Sequence, residues 1–103
     1  MNYWTLAEYL DPGHIPGAVQ YTPRSDLKLG TFLRTLPTNK TIVVYCYTGQ
    51  TSSFITAYLR LLGYDAKSLL YGGNGMIHDL MLTKGMTTFK TSDIMRYPYV
   101  TGP

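Results

Sequence analysis

At 103 residues, 45% of them apolar, the chain has the length of one small domain and enough apolar residues for one modest core. Its net charge of +3 arises from nine Lys and Arg scattered from Arg24 to Arg96, without the run or stripe that marks a nucleic-acid surface. One cysteine excludes an internal disulfide, and no stretch approaches the roughly 18 consecutive apolar residues that cross a bilayer.

Taken in chain order, Leu6 to Leu10 reads as a short helical turn, Gly13 to Gly17 as a tight loop and Ala18 to Tyr21 as a short strand. A helix is predicted around Leu27 to Leu36. After the turn-like Pro37-Thr38-Asn39-Lys40, the β-branched apolar run Ile42 to Tyr45 predicts a buried strand that ends at Cys46. Ile55, Tyr58, Leu59 and Leu62 recur at helical spacing, which predicts a helix from Ser52 to Leu62 with Ser/Thr to cap its start and Gly63 to stop it. Ala66 to Tyr71 reads as a second strand, and Gly72-Gly73-Asn74-Gly75 as the turn after it.

Strand, helix and strand within about 30 residues form a βαβ unit, with parallel pairing and a right-handed crossover. The fold class is therefore α/β, a small open parallel sheet flanked by helices, in a single domain spanning residues 1–103. Residues 84–103 hold no sustained period and are expected to form an irregular C-terminal tail over the surface. The chain opens almost inside a helix, so the first strand of the sheet is expected to be missing.

Cys46-Tyr47-Thr48-Gly49-Gln50-Thr51 lies between a strand end and a helix start, the carboxyl edge where open parallel sheets bind ligands. A loop curled into a helix N-terminus turns several N–H groups inward, and Gly49 has no Cβ to obstruct the curl. Such a cradle stabilises a thiolate and would also hold a persulfide or an anionic leaving group. The competing reading is that a lone cysteine is commonly a small buried hydrophobe, and that Thr48, Thr51, Ser52 and Ser53 are an ordinary capped helix entry.

Gly13-His14-Ile15-Pro16-Gly17-Ala18, then Ile42-Val43-Val44-Tyr45-Cys46 with Cys-x-x-Gly-x-x-Ser, then Leu62-Gly63-Tyr64 and Gly72-Gly73, resembles the rhodanese homology domain in order and spacing from about Glu8 to Met76. The resemblance implies parallel strands between helices and sulfur transfer through a cysteine persulfide. In that family a six-residue loop takes sulfane sulfur, whereas related phosphatases use a loop one residue longer that ends in arginine. Here the loop runs from Cys46 to Thr51, and neither Thr51 nor Ser52 is arginine, so phosphoryl transfer lacks its usual cation.

Two departures stand out. Members active on thiosulfate usually place Arg or Lys where Thr51 stands, which points to a different donor. The family also carries a strand ending in an Asp-x-Arg-like segment ahead of the Glu8-Tyr9 match, and its absence here favours a piece of a longer chain, since a lost strand exposes its neighbour's hydrogen-bonding groups.

The site expected from these arguments has Cys46 as nucleophile, with Tyr47, Thr48, Gly49, Gln50, Thr51 and Ser52 binding substrate through backbone N–H groups and hydroxyls. Tyr47 either walls the pocket or covers the loop. His14 is expected to tie down its Gly-Pro loop, His78 to lie at the surface, and Trp4, Tyr9, Tyr58 and Tyr64 to pack in the core and rim. Asn74 and Met76 are placed where they could face the cysteine loop. Two histidines and one cysteine show no metal-ligand spacing, and no cofactor is expected.

The expected function is a sulfurtransferase moving sulfane sulfur through a Cys46 persulfide to a thiol or other nucleophilic acceptor. The alternative is a non-catalytic binding or regulatory module, with Cys46 as a redox-sensing thiol. Expected partners are a small sulfur donor and a thiol or protein acceptor, not nucleic acid or membrane. Met1 to Leu10 lacks a signal peptide's basic start and apolar run, so the chain is expected to be soluble, with a bacterial cytoplasm and a periplasm both open.

Overall fold

The computed structural model describes residues 1–102. Its elements are α1 (Leu6–Leu10), β1 (Ile42–Val44), α2 (Gln50–Leu61), β2 (Ala66–Ser68) and α3 (Asn74–Thr83), with short 3-10 turns at Leu33–Thr35 and Thr91–Asp93. β1 and β2 pair in parallel, Ile42 opposite Ala66 and Val44 opposite Ser68, and α2 connects them. The chain is thus the small α/β fold expected, a parallel open sheet with three helices.

Side-chain alternation divides the core at β1. Ile42 and Val44 face α2, where Ile55 and Leu59 pack on them together with Ala66, Leu27, Leu33 and Leu36. Tyr45, the next residue, joins a second cluster with Trp4 and Cys46, against which Leu69, Ile77 and Met86 pack. Trp4 meets Tyr45 edge-on, ring centroids 5.5 Å apart at 79°, a favoured arrangement for two ring quadrupoles.

The segment ahead of α1 enters the sheet at one residue. Asn2 bridges in parallel to Tyr45 on one side and to Gln20 on the other. Tyr3 N–H donates to Tyr45 O at 3.0 Å, Tyr45 N–H to Met1 O at 3.1 Å, and Tyr21 N–H to Asn2 O at 2.9 Å. The first strand is therefore reduced to a stub, and the strand predicted at Ala18 to Tyr21 contributes only Gln20. Thr5 then caps α1 in a reciprocal box with Glu8, as the Thr-x-x-Glu spacing favours.

Two further predicted elements need correction. The helix expected at Leu27 to Leu36 is a series of turns ending in the 3-10 turn. Side chains there take the backbone groups a helix would use: Thr31 Oγ1 donates to Asp26 O at 2.7 Å, and Thr22 N–H to the Asp26 carboxylate at 2.8 Å. Tyrosine hydroxyls from the body of the domain fasten the segment, Tyr58 to Leu27 O at 3.1 Å and Tyr64 to Leu33 O at 3.2 Å. The second strand stops at Ser68, because Leu70 to Gly72 already turn toward α3.

α3 itself was not predicted. It begins inside the Gly-rich turn, carries a non-helical residue at Ile77 (φ −137°, ψ 38°), and buries only Asn74 and Met81, so its apolar residues show no clean stripe. Beyond it, residues 84–102 carry only the Thr91–Asp93 turn, and Asn74 holds their start through Phe89 N–H at 2.8 Å and Thr87 O at 3.2 Å. No helix among the described residues is long and apolar enough to cross a membrane.

Candidate functional site

Cys46 ends the β1 line, where the chain leaves the sheet and curls into α2. Gly49 makes the curl in the left-handed region (φ 96°) and serves as the N-cap of α2, which starts at Gln50 rather than Ser52. No side chain caps this end; the hydroxyls of Ser52 and Ser53 bond back to Gly49 O at 3.0 and 2.7 Å. The outer side of the curl is stapled to the start of α3. Gly73 N–H donates to Cys46 O at 2.8 Å and Asn74 N–H to Tyr47 O at 2.9 Å, and Asn74 Nδ2 adds a second bond to Tyr47 O at 2.8 Å.

This geometry aims the first turn of α2 at the sulfur. Ser52 N–H points at Cys46 Sγ at 3.3 Å, using one of the four amide donors a helix start leaves unpaired. Burial opposes ionisation of Cys46, but the amide of Ser52, with those of Gly49 and Thr48, outweighs it and holds the thiol below the ordinary cysteine value. Cys46 is 5% exposed and lines a cavity.

That cavity, of about 310 Å³, is bounded by Cys46, Tyr47 and Thr51 and by Tyr3, Trp4, Glu8, Pro23, Arg24, Phe54 and Ile55. Tyr47 hydrogen-bonds through its hydroxyl to Glu8 Oε1, while Glu8 Oε2 accepts from the Thr5 hydroxyl at 2.6 Å and the Thr5 amide at 3.1 Å. Partial burial of Glu8 raises its pKa, but these donors prevail and hold it below the usual carboxylate value. Burial and the Glu8 carboxylate push the Tyr47 phenol well above its ordinary value, so it stays a neutral donor.

The buried cysteine in an amide curl between a parallel strand and a helix is accompanied by a decisive match: residues 5–75 fit the family model of the rhodanese-like domain. The chain belongs to the rhodanese-like domain family. No solved structure matches it significantly.

Within this rhodanese-like domain the seven predicted site residues divide. Cys46, Tyr47 and Thr51 line the cavity. Thr48, Gly49 and Gln50 line a separate groove on the other side of the loop, with Ser68, Tyr71 and Phe89. Ser52 is fully buried, and its hydroxyl is engaged with Gly49 O and, at 2.7 Å, with Ser68 Oγ, so its amide is the group directed at the sulfur. Tyr47 walls the cavity, which decides between the two roles considered for it.

His14 is stacked on Tyr9 with centroids 3.5 Å apart and has Nδ1 2.8 Å from Tyr9 O, away from the cysteine cavity. His78 bonds to Phe89 O and to exposed Asp79; these partners raise its pKa. Met76 lines a different hollow beside His14, and Asn74 meets the loop through Tyr47 O rather than through the sulfur. The described residues contain no group of three or more His, Cys, Asp and Glu placed to share a metal ion.

Sequence reasoning missed Arg24, Phe54 and Ile55 as cavity residues, and placed Trp4 only in packing. Phe54 and Ile55 follow the loop in the first turns of α2, so a helical projection from Cys46 would have found them. Arg24 has no such signal, since only the fold brings it beside the cysteine.

Proposed function

We propose that this rhodanese-like domain is a sulfurtransferase that carries sulfane sulfur on Cys46. The Cys46 thiolate attacks the outer sulfur of a small donor; a bond forms between Sγ and that sulfur, and the donor's S–S bond breaks with its electron pair on the leaving group. The resulting persulfide rests against the amides of Thr48 to Ser52. An acceptor thiolate, from a small molecule or a protein, then attacks the outer sulfur and Sγ leaves as thiolate, restoring the enzyme. Each step exchanges one S–S bond for another, so the cycle is redox-neutral and needs no cofactor.

The observation that carries this reading is the Ser52 N–H directed at Sγ at 3.3 Å in a cavity-lining loop. Preorganised amides stabilise negative charge on sulfur in the thiolate, in the transition state and in the persulfide. Glu8 and Tyr47 hold one side of the cavity wall through the hydrogen bond between them.

Intact-mass spectrometry after exposure to a sulfane donor tests the proposal. Wild type should gain one sulfur that a reductant removes, and Cys46→Ser none. Folded wild type that gains no sulfur from thiosulfate, a thiosulfonate or a hydropersulfide would refute catalysis and leave a binding module.

A further inference from the structure

The loop ends in uncharged Thr51, yet the cavity contains a cation from elsewhere in the chain. Arg24 lines it together with Cys46, and forms no ion pair among the described residues. Its backbone lies at φ 67°, a left-handed conformation costing a residue with a Cβ on the order of 1 kcal/mol. Such strain persists where surrounding structure enforces it. Here Arg24 N–H donates at 2.8 Å to the hydroxyl of Tyr3, a core residue only 6% exposed. The turn is thus fastened to the core, while its guanidinium has no hydrogen-bond or ion-pair partner among the described residues.

The rest of the cavity narrows what this cation would bind. Trp4, Pro23, Phe54 and Ile55 give it an apolar wall. Phe54 is 74% exposed, so an apolar ligand body would cover a ring that the protein leaves in water. Glu8 supplies one fixed negative charge across the same space, its pKa held low by Thr5 and Tyr47 after the opposing effect of burial. One cation and one carboxylate lining the same cavity favour a singly charged ligand over a dianion.

We propose that Arg24 is the anion-recognition residue of the Cys46 cavity, and that the preferred donor is an organic thiosulfonate, a monoanion with an aromatic-sized apolar group. This rests on the sulfurtransferase reading above. In the reaction the thiolate attacks the outer sulfur of R–SO2–S⁻; the new Sγ–S bond forms as the S–SO2 bond breaks, and the electron pair leaves on the sulfinate R–SO2⁻. Arg24 pairs with the sulfonyl oxygens before transfer and with the sulfinate after it, offsetting repulsion between two anions.

The test compares loading of Cys46 by benzenethiosulfonate and by an uncharged alkyl hydropersulfide in wild type, Arg24→Gln, Arg24→Lys and Arg24→Gly. Arg24→Gln should raise the half-saturating concentration about ten-fold more for the thiosulfonate than for the uncharged donor, as loss of one charge-assisted contact implies. Arg24→Lys should recover most of this selectivity. Arg24→Gly relieves the left-handed backbone, so it should melt no lower than wild type while losing selectivity as Gln does. Equal effects of Arg24→Gln on both donors, or none on the thiosulfonate, would overturn the assignment.

Binding of benzenesulfinate to Cys46→Ser, followed by fluorescence of the single Trp4 in the cavity wall, separates the two proposals. Weaker binding on adding Arg24→Gln supports the anion site even if no donor loads Cys46, a result that would refute sulfur transfer alone. Unchanged or undetectable sulfinate binding would refute the anion site.

Discussion

Gly72→Ala is expected to be the most damaging single-methyl change in the chain, because of where the methyl must go. A Cβ on Gly72 would stand 2.2 Å from Cys46 O and 3.0 Å from Tyr47 O. The first distance is about 1 Å short of the roughly 3.3 Å at which carbon and carbonyl oxygen normally meet. Both obstacles are backbone, so no side-chain rotation relieves them. Moving these carbonyls breaks the bonds from Gly73 N–H and Asn74 N–H that hold the cysteine loop, at about 1 kcal/mol each. The left-handed backbone at φ 53° adds about 1 kcal/mol for alanine.

The total, about 3 kcal/mol, is a large fraction of the roughly 5–15 kcal/mol of a typical domain. With a urea slope of about 1.3 kcal/mol/M, the midpoint should fall by about 2 M. Gly63→Ala is the matched control: its φ is 90° but no atom lies within 4 Å of the new Cβ, so it should cost only the backbone preference, about 1 kcal/mol. Paired urea titrations read the difference directly. If the two variants unfold within about 0.5 kcal/mol of each other, a threshold set by ordinary neutral substitutions, the contact between Gly72 and the loop carbonyls does not govern stability.

The thiol, a carboxylate and the core each supply a further expectation. Alkylation of Cys46 against pH should show a midpoint below the unfolded value of about 8.5, and a midpoint at or above it contradicts the amide cradle. Because the folded pKa is lowered, this linkage contributes stability that is complete above the unfolded value and is lost as pH falls through the folded one. Tyr47→Phe removes one donor to Glu8 and should cost about 1 kcal/mol at neutral pH. Glu8 also has a lowered folded pKa, so that cost should be present above about pH 4.3 and shrink as pH falls through the lower folded value; a difference independent of pH would show that the hydroxyl acts otherwise. Leu59→Ala, at a fully buried position, should lose about 2–5 kcal/mol, whereas Leu61→Ala, 87% exposed, should stay within about 0.5 kcal/mol; equal urea midpoints for the two would contradict the packing of α2 on the sheet.

The sequence by itself determined the βαβ unit and its reactive edge. Ile42 to Tyr45 is a β-branched apolar run, and Ile55 and Leu59 fall one helical turn apart, so local periodicity alone places Cys46 between a strand and a helix. Gly49 is legible for the same reason, since the curl demands a left-handed residue at that point. The segment from Arg24 to Leu36 was not legible, although its apolar spacing is helical. Its conformation is decided by Tyr58 and Tyr64 hydroxyls from distant positions and by Asp26 and Thr31, which compete for the backbone.

Only the tertiary structure decided the walls of the cavity. Arg24 lines the cavity of Cys46 because Tyr3, one residue beyond the Asn2 bridge, takes the Arg24 amide into the core, and Glu8 lines it because α1 follows that stub directly. Neither residue has a periodic relation to the cysteine loop. Local sequence specifies where the nucleophile lies because strand and helix periods are short-range; which charges face it depends on long-range pairing that no local pattern encodes.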